Sequence, residues 1–236
     1  AGITVGTISN NTIHNFPSDS GIKLVGGNPN IGAAQAFFGD PASGTNKITI
    51  DNNHVEGVAG APLGLNANFN AIDVAMTGEG KSHIYITNNG TAADPIQHFR
   101  GSGISALGGN KTVNTFVIDH NFVDGGDSEA GARAISVGSF LGLGQASGVV
   151  NAKVTNNTVN NSNGPGIFAG IVNSDNTGNF IIQNNTVGAP RSPGTSGILV
   201  QAGNAADHAT VNLNMSGNTT TGSNDPTFGQ APGITF

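Results

Sequence analysis

The sequence has no cysteine and little charge, and each deficit excludes a class of protein. Without cysteine the chain can form no disulfide, no thiolate nucleophile and no cysteine-ligated metal site. Its 8 lysines and arginines stand against 14 acidic residues, for a formal net charge of −6, whereas nucleic-acid binding requires clustered cations to neutralise phosphates. No apolar run approaches the roughly 18 residues of a transmembrane helix. We therefore expect no nucleic-acid partner and no membrane insertion.

Asparagine and glycine take the place of charge, and the asparagines recur in a pattern. Charged residues form 9% of the chain, while 37 of its 236 residues are glycine. One phrase occurs seven times: an apolar residue, any residue, usually asparagine, then asparagine, any residue and a β-branched residue, as in Ile118 to Val123. The fourth position is always asparagine. These residues are Asn11, Asn53, Asn89, Asn121, Asn157, Asn185 and Asn218.

A second phrase alternates with the first and consists of a small residue, isoleucine and a short apolar stretch. Its isoleucines are Ile22, Ile72, Ile104, Ile135, Ile167, Ile198 and Ile234. Two interleaved phrases in constant order indicate a repeat architecture. Both phrases carry apolar residues at every second position, such as Ile48 and Ile50, which is typical of strands. No stretch shows a helical period, so we predict an all-β chain without substantial helix.

The shared asparagine distinguishes between two ways of arranging these strands. Hairpins of a sandwich would alternate in direction, and their turns would not need the same asparagine each time. Stacked parallel coils place equivalent residues about 4.8 Å apart, so that amide side chains can hydrogen-bond along the stack. Asparagine also tolerates left-handed backbone geometry at a bend. The pattern therefore predicts a parallel solenoid with a structural asparagine ladder.

In these phrases the sequence resembles the right-handed parallel β-helix repeat family of the pectate-lyase-like superfamily. The resemblance covers nearly the whole chain and implies one domain, residues 1–236, with a single-stranded right-handed parallel β-helix of about seven coils. We number the coils by their ladder asparagines, from Asn11 in coil one to Asn218 in coil seven. The scaffold serves enzymes, adhesins and phage fibres, so the resemblance is specific for fold and not for function.

Four coils carry insertions, and insertions on one flank of a solenoid are commonly its binding side. They span Gly26 to Thr45, Glu56 to Asn68, Ala92 to Ser102 and Asp124 to Arg133. The densest ionisable cluster lies in coil four. Its members are Asp119, His120, Asp124, Asp127, Glu129 and Arg133. Coil two offers Asp51, His54 and Glu56 at matching positions.

Paired carboxylates can act as acid and base or hold Ca²⁺ in polysaccharide cleavage. However, Asp51 and Asp119 are separated by the strand of Thr87, so their backbones should lie about 9 to 10 Å apart. Enzymes of this superfamily carry clustered aspartates with a catalytic arginine, or Asp-Asp with Gly-His-Gly and Arg-x-Lys, and none of these sets is present. We therefore favour solvated turn residues over catalysis.

The remaining chemistry points to no cofactor and no metal site. The six histidines, at positions 14, 54, 83, 98, 120 and 208, show no metal-ligand spacing, and no Gly-x-Gly-x-x-Gly joins a strand to a helix. Outward positions of the second-phrase strand are apolar. They are Val25, Ala75, Leu107, Phe168 and Leu199. Such a stripe predicts either a partner surface or a cover formed by loops of the same chain.

The sequence begins and stops within strands, and we expect either a longer solenoid or axial end-to-end stacking of copies. We interpret the chain as a non-catalytic structural or adhesive segment, such as a stalk, passenger or filament, that is extracellular or on the cell surface. Its expected partners are other copies of the chain, bound end to end or along the apolar flank, and a polysaccharide surface. The alternative is a polysaccharide lyase or glycoside hydrolase that uses the flank from coil two to coil four.

Overall fold

The computed structural model describes residues 2–16, 19–27, 35–60, 70–139, 147–172, 174–203, 208–222, 224–225, 229–230 and 233–236. Parts of the first two predicted insertions, residues 28–34 and 61–69, lie outside the described residues. Within the described ranges all regular structure is β-strand. The absence of helix there means that no described helix could cross a membrane.

The described strands are short, and most have three to seven residues. In chain order they are β1 (Gly6–Ser9), β2 (Thr12–His14), β3 (Ile22–Gly26), β4 (Phe37–Phe38), β5 (Ile48–Asp51), β6 (His54–Glu56), β7 (Ile72–Met76), β8 (Lys81–Thr87), β9 (Ile104–Gly108), β10 (Val113–Asp119), β11 (Phe122–Asp124), β12 (Ile135–Ser139), β13 (Val149–Thr155), β14 (Thr158–Asn160), β15 (Ile167–Ile171), β16 (Thr177–Gln183), β17 (Thr186–Val187), β18 (Ile198–Ala202), β19 (Thr210–Ser216), β20 (Thr219–Thr220), β21 (Asn224–Asp225), β22 (Gly229–Gln230) and β23 (Ile234–Thr235).

The first-phrase strands form one parallel sheet, which we call the main sheet. Its order is β1-β5-β8-β10-β13-β16-β19. The register sets Ile50 of β5 beside Ile8 of β1 and Ile86 of β8, and continues through Ile118 to Val154. Every apolar position of the phrase therefore lies next to its own equivalents, which is the pairing that parallel coils predict. The hairpin alternative is wrong for these strands.

The second-phrase strands form another parallel sheet, the second sheet, in the order β3-β7-β9-β12-β15-β18-β23. The isoleucines of the phrase occupy one continuous row from Ile22 to Ile234. Among the remaining short strands, β2-β6 and β11-β14-β17-β20 form two further parallel groups, and β4 pairs with β8 at the main sheet. Isolated bridges from Gln97 to Glu56 and from Ile96 to Val123 connect the two groups. Near the end of the chain β21 and β22 form one antiparallel pair. The prediction of an all-β, parallel and solenoid-like fold is confirmed.

One hydrophobic core runs through the stack, formed by the inward positions of all three sets of strands. Ile50, Ile86 and Ile118 of the main sheet are fully buried, as are Val55 and Val123 of the short strands. These side chains alternate with outward polar residues because successive strand residues point to opposite faces. Neighbouring strands therefore bury one another's apolar faces, and this packing holds the stack together.

The predicted apolar stripe on the second sheet is not one row. The register sets Val25 beside Ala75 and Leu107, whereas Phe168 lies beside Leu199 in a different row. The two rows also differ in exposure: Val25 is 53% exposed and Phe168 only 1%. Arg133 covers Phe168, with its guanidinium carbon 3.6 Å from the ring centroid. The prediction of a continuous stripe is therefore wrong, because it did not fix the register across strands.

Candidate functional site

The repeated asparagines form a continuous hydrogen-bonded row beside the main sheet. Each side-chain amide donates to the amide oxygen of the next asparagine, over 2.9–3.0 Å, from Asn11 to Asn218. Asn89 shows how the hydrogen-bonding groups of one ladder side chain are satisfied. Its Nδ2 donates to Asn121 Oδ1 and to the carbonyls of Ile50 and Thr87, while its Oδ1 accepts from both nitrogens of Asn53. A buried amide is thereby left with no unused donor or lone pair.

The left-handed residue at this bend is the one before the ladder asparagine, and not the ladder asparagine itself. Asn10, Asn52, Asn88, Asn156 and Asn184 have φ between 52° and 58°. His120 at 55° and Gly217 at 67° occupy the same position in their strands' turns. The doubled asparagine of the phrase therefore has two separate causes. The first residue accepts positive φ, and the second forms the row of amides.

Two aspartates of the candidate set join neighbouring strands in the same way. Asp51 Oδ1 accepts from Thr87 Oγ1 at 2.7 Å and from Asn88 Nδ2 at 2.8 Å. Asp119 Oδ1 accepts from Thr155 Oγ1 and from Asn156 Nδ2, the latter at 2.9 Å. Thr87 lies between Asp51 and Asp119 in the register, as the sequence analysis expected. We call these two arrangements the aspartate clamps.

Asp119 also accepts a hydrogen bond from the exposed ring of His120, at 2.7 Å. Burial is the largest single influence on the pKa of Asp119 and raises it. Hydrogen bonds from Thr155, His120 and Asn156, together with the charge of His120, outweigh burial, so that the pKa lies below its usual value of 3.8. Asp119 is thus held in its ionised form by partners within the chain.

The other members of the coil-four cluster contact different partners. Asp124 accepts from the Gly126 amide and from Asn161 Nδ2, both at 2.9 Å. The backbone amide of Glu129 donates to the Arg100 carbonyl at 3.0 Å. Arg133 lies over Phe168, and burial lowers the pKa of its guanidinium below its usual value. Asp127 is the member that enters a cluster of ionisable groups from other strands.

That cluster has Glu56 at its centre. Glu56 Oε2 lies 3.2 Å from His14 Nδ1 and 3.5 Å from His54 Nε2. Its Oε1 lies 3.4 Å from His98 Nε2 and accepts a hydrogen bond from Gln97 at 3.3 Å. We call Glu56 and the three histidines the His–Glu cluster. One donor atom each of His14, His54 and Glu56 lies within 4.8 Å of the others, so these three residues could hold a metal ion.

Asp127 extends the cluster toward a cleft. Asp127 Oδ2 lies 2.6 Å from His98 Nδ1, within hydrogen-bond distance. His98 and Asp127 line a cleft of about 270 Å³ together with Arg100, Ser128 and Arg191. Arg191 donates to the Gly126 carbonyl at the edge of this cleft. The flank predicted from the insertions therefore carries both acidic and basic groups from neighbouring turns of the chain.

The sequence indicated His54 and Glu56 as candidates but not their partners His14 and His98, because ligands were sought close together along the chain. His14 and Glu56 both lie three residues after a ladder asparagine, and the register pairs them directly. Comparing residues at equal offsets from Asn11 and Asn53 would have found this pair. His98 could not be found in this way, because its segment returns to the short strands after an insertion of irregular length.

The outer face of the main sheet carries an open trough of about 520 Å³. Along one side runs a row of amides, in which Asn212 donates to Asn179 at 2.7 Å and Asn179 to Asn151 at 2.8 Å. Lys153 and the 38% exposed Ile181 line the other side. The trough thus combines hydrogen-bonding amides with an apolar surface across four parallel strands.

Comparison with known proteins gave no relatives. No protein-family model matches the sequence, and neither the curated proteins nor the solved structures include a significant match.

Proposed function

We propose that this chain is a structural and adhesive segment of an extracellular or cell-surface β-solenoid. In this proposal the solenoid is a right-handed parallel β-helix of about seven coils, related to the parallel β-helix repeat proteins of the pectate-lyase-like superfamily. The segment acts as a stalk, passenger or filament unit, and it binds a polysaccharide surface or further copies of itself without cleaving a substrate.

The aspartate clamps carry this proposal. Catalytic carboxylates must be available to a substrate proton or a reacting carbon. Asp51 and Asp119 instead accept from a threonine and an asparagine of the next strand, with the same geometry in each case. Asp124 likewise accepts from Asn161 of the neighbouring turn. These carboxylates serve to join strands, which is the use that a structural segment requires.

The trough of the main sheet supplies the adhesive surface in this proposal. Amides hydrogen-bond the hydroxyl groups of a sugar, and apolar side chains contact its C–H faces. The row of Asn151, Asn179 and Asn212 and the opposite residues Lys153 and Ile181 offer both kinds of contact. A trough that crosses four strands suits an extended chain of sugars.

Affinity electrophoresis on pectate, alginate, chondroitin and xylan tests this surface. We expect retardation of the native chain by at least one of them, and loss of that retardation in the trough variant Ile181→Glu. Val25→Glu is the matched control, because it places the same charge at an exposed apolar position of the second sheet. Equal retardation of the native chain and both variants, or of none of them, would remove the trough from the proposal.

A second candidate function, polysaccharide cleavage, is favoured by one observation: the cleft brings Asp127, His98, Arg100 and Arg191 together. Incubation with the same four polysaccharides, with and without Ca²⁺, should release no reducing ends or unsaturated products if the structural proposal is correct. Activity that disappears in Asp127→Asn or His98→Gln, but persists in Asp124→Asn, would establish cleavage in this cleft instead.

A further inference from the structure

We propose that His14, His54 and Glu56 form a binding site for a first-row transition-metal cation such as Zn²⁺. The proposal is independent of the scaffold role, since it concerns the outer face of the short strands and needs neither the trough nor an enzymatic activity. His14 is contributed by β2, and His54 and Glu56 by β6. Bound metal would join two parallel strands whose residues are 40 or more positions apart in the chain.

Two of the three separations between the donor atoms agree with tetrahedral coordination. Zinc lies about 2.0–2.1 Å from imidazole nitrogen and about 2.0–2.2 Å from carboxylate oxygen. Tetrahedral angles then place neighbouring ligand atoms roughly 3.3–3.5 Å apart. The distances from Glu56 Oε2 to His14 Nδ1 and to His54 Nε2 are 3.2 and 3.5 Å. The third separation, between the two histidine nitrogens, is within 4.8 Å, so a small movement of one histidine side chain would complete the set.

The chemistry of the donors selects the class of ion. Imidazole nitrogen with one carboxylate oxygen suits zinc, copper, iron or nickel, whereas calcium and magnesium prefer oxygen ligands throughout. Three protein donors leave a tetrahedral ion one further position for water or an exogenous ligand. The set consequently belongs with open metal sites and not with closed structural zinc sites.

The charges around Glu56 provide a second, independent argument. The ion pairs that Glu56 forms within the described residues are all with histidine, which carries no fixed charge. Glu56 therefore has no permanently charged cation among these partners, and a bound metal ion would supply one.

The surroundings of His54 also predict the strength of binding. Metal-ligating histidines normally donate their second nitrogen to a carboxylate or carbonyl, and loss of such a partner costs about 10- to 100-fold in affinity. His54 Nδ1 is buried and has no hydrogen-bond partner among the residues that the structure describes. We therefore expect Zn²⁺ to bind about 10- to 100-fold more weakly than at a site whose histidines are fully supported.

Titration of the metal-stripped chain with Zn²⁺ by isothermal calorimetry tests the proposal. We expect one ion per chain and a rise in the thermal midpoint with Zn²⁺ concentration, because the ion binds only the folded state. Co²⁺ in the same site should give the intense visible absorption of tetrahedral coordination. His14→Ala and Glu56→Gln should each weaken Zn²⁺ binding at least tenfold, while His208→Ala, outside the cluster, should leave it unchanged.

Both test variants change side chains that are partly exposed, so we expect them to fold. Circular dichroism without metal checks this, and the exposed His14→Ala variant carries the test if Glu56→Gln does not fold. The proposal is overturned if the native chain takes up no Zn²⁺, if the His208→Ala variant loses binding equally, or if Co²⁺ gives only the weak absorption of an octahedral surface ion.

Discussion

The ladder of asparagines and the His–Glu cluster lie on the same turns of the chain, yet they are built in opposite ways. In the ladder every turn contributes the same side chain, so that one interaction is repeated from Asn11 to Asn218. In the row that contains Glu56, each turn contributes a different side chain: His14 lies on one side of Glu56 and Gln97 on the other. Repetition gives uniform stability along the stack, whereas variation creates a local site with a chemistry of its own.

The largest expected effect is a loss of stability caused by a substitution in the asparagine ladder. Asn121→Ala removes a donor to the Ile86 carbonyl and to Asn157, and an acceptor for both nitrogens of Asn89. Because several buried polar groups lose their partners at once, we expect a loss of about 3 to 5 kcal/mol in the free energy of unfolding. Chemical denaturation measures it.

Asn11→Ala is the matched control, because Asn11 is exposed and its side chain acts as a donor at the edge of the row. We expect a cost below about 1 kcal/mol for this variant. Equal costs for the two variants would show that the ladder does not act through buried hydrogen bonds.

The next largest effect tests how closely the His98 segment packs against the end of β6. A Cβ added at Gly57 would lie 1.9 Å from the carbonyl oxygen of His98. Gly57→Ala must therefore push the His98 segment away from β6, at a cost of about 1 to 3 kcal/mol. Thermal unfolding should detect the loss, and Gly44→Ala, where nothing lies within 4 Å of the added carbon, should not show it. A stable Gly57→Ala variant would mean that the two segments are not in register.

A smaller, pH-dependent effect belongs to the aspartate clamp. Because the pKa of Asp119 is below its usual value of 3.8 in the folded chain, ionised Asp119 stabilises the fold above about pH 4. This stabilisation disappears as the pH falls through the lower, folded-state pKa. Asp119→Asn should cost about 1 kcal/mol near neutral pH and much less below pH 3, as measured by denaturation at both pH values. Asp94→Asn, at an exposed position, controls for the loss of charge. An Asp119→Asn cost that is independent of pH would contradict the clamp.

The smallest effect concerns the His–Glu cluster without metal. His14 is half exposed, with 48% of its side chain accessible, and surface ion pairs contribute little. His14→Ala should therefore change the free energy of unfolding by less than about 0.5 kcal/mol in a chelator. A much larger loss of unfolding free energy under these conditions would mean that the cluster stabilises the fold without a metal ion and is not primarily a binding site.

The parts of the molecule that repeat could be predicted from the sequence. Ile50, Ile86 and Ile118 occupy equal offsets from their ladder asparagines, so the parallel pairing of the main sheet follows from their spacing. The aspartate clamps were harder to predict from the sequence, because Asp51 and Asp119 look like solvated turn residues until Thr87 and Thr155 are placed beside them.

The irregular parts could not be predicted, for a physical reason. His98 reaches Glu56 through a segment that leaves the repeat after Asn89 and rejoins it at Ile96. The length of such a loop does not determine where the chain returns, because the entropic cost of closing a loop rises only slowly with its length. Phe37 shows the same behaviour: β4 pairs with the first residues of β8, ahead of β5.

The asparagine row has a direction as well as a length. Every amide donates toward the strand that follows it in the chain, so the dipoles of the row all point the same way. Aligned hydrogen bonds polarise one another, which strengthens the row as it grows. A strand added beyond Asn218 would continue the row by offering an acceptor, and one added beyond Asn11 by offering a donor. The stack is therefore polar along its length, with an amide donor direction that is the same on every turn from Asn11 to Asn218.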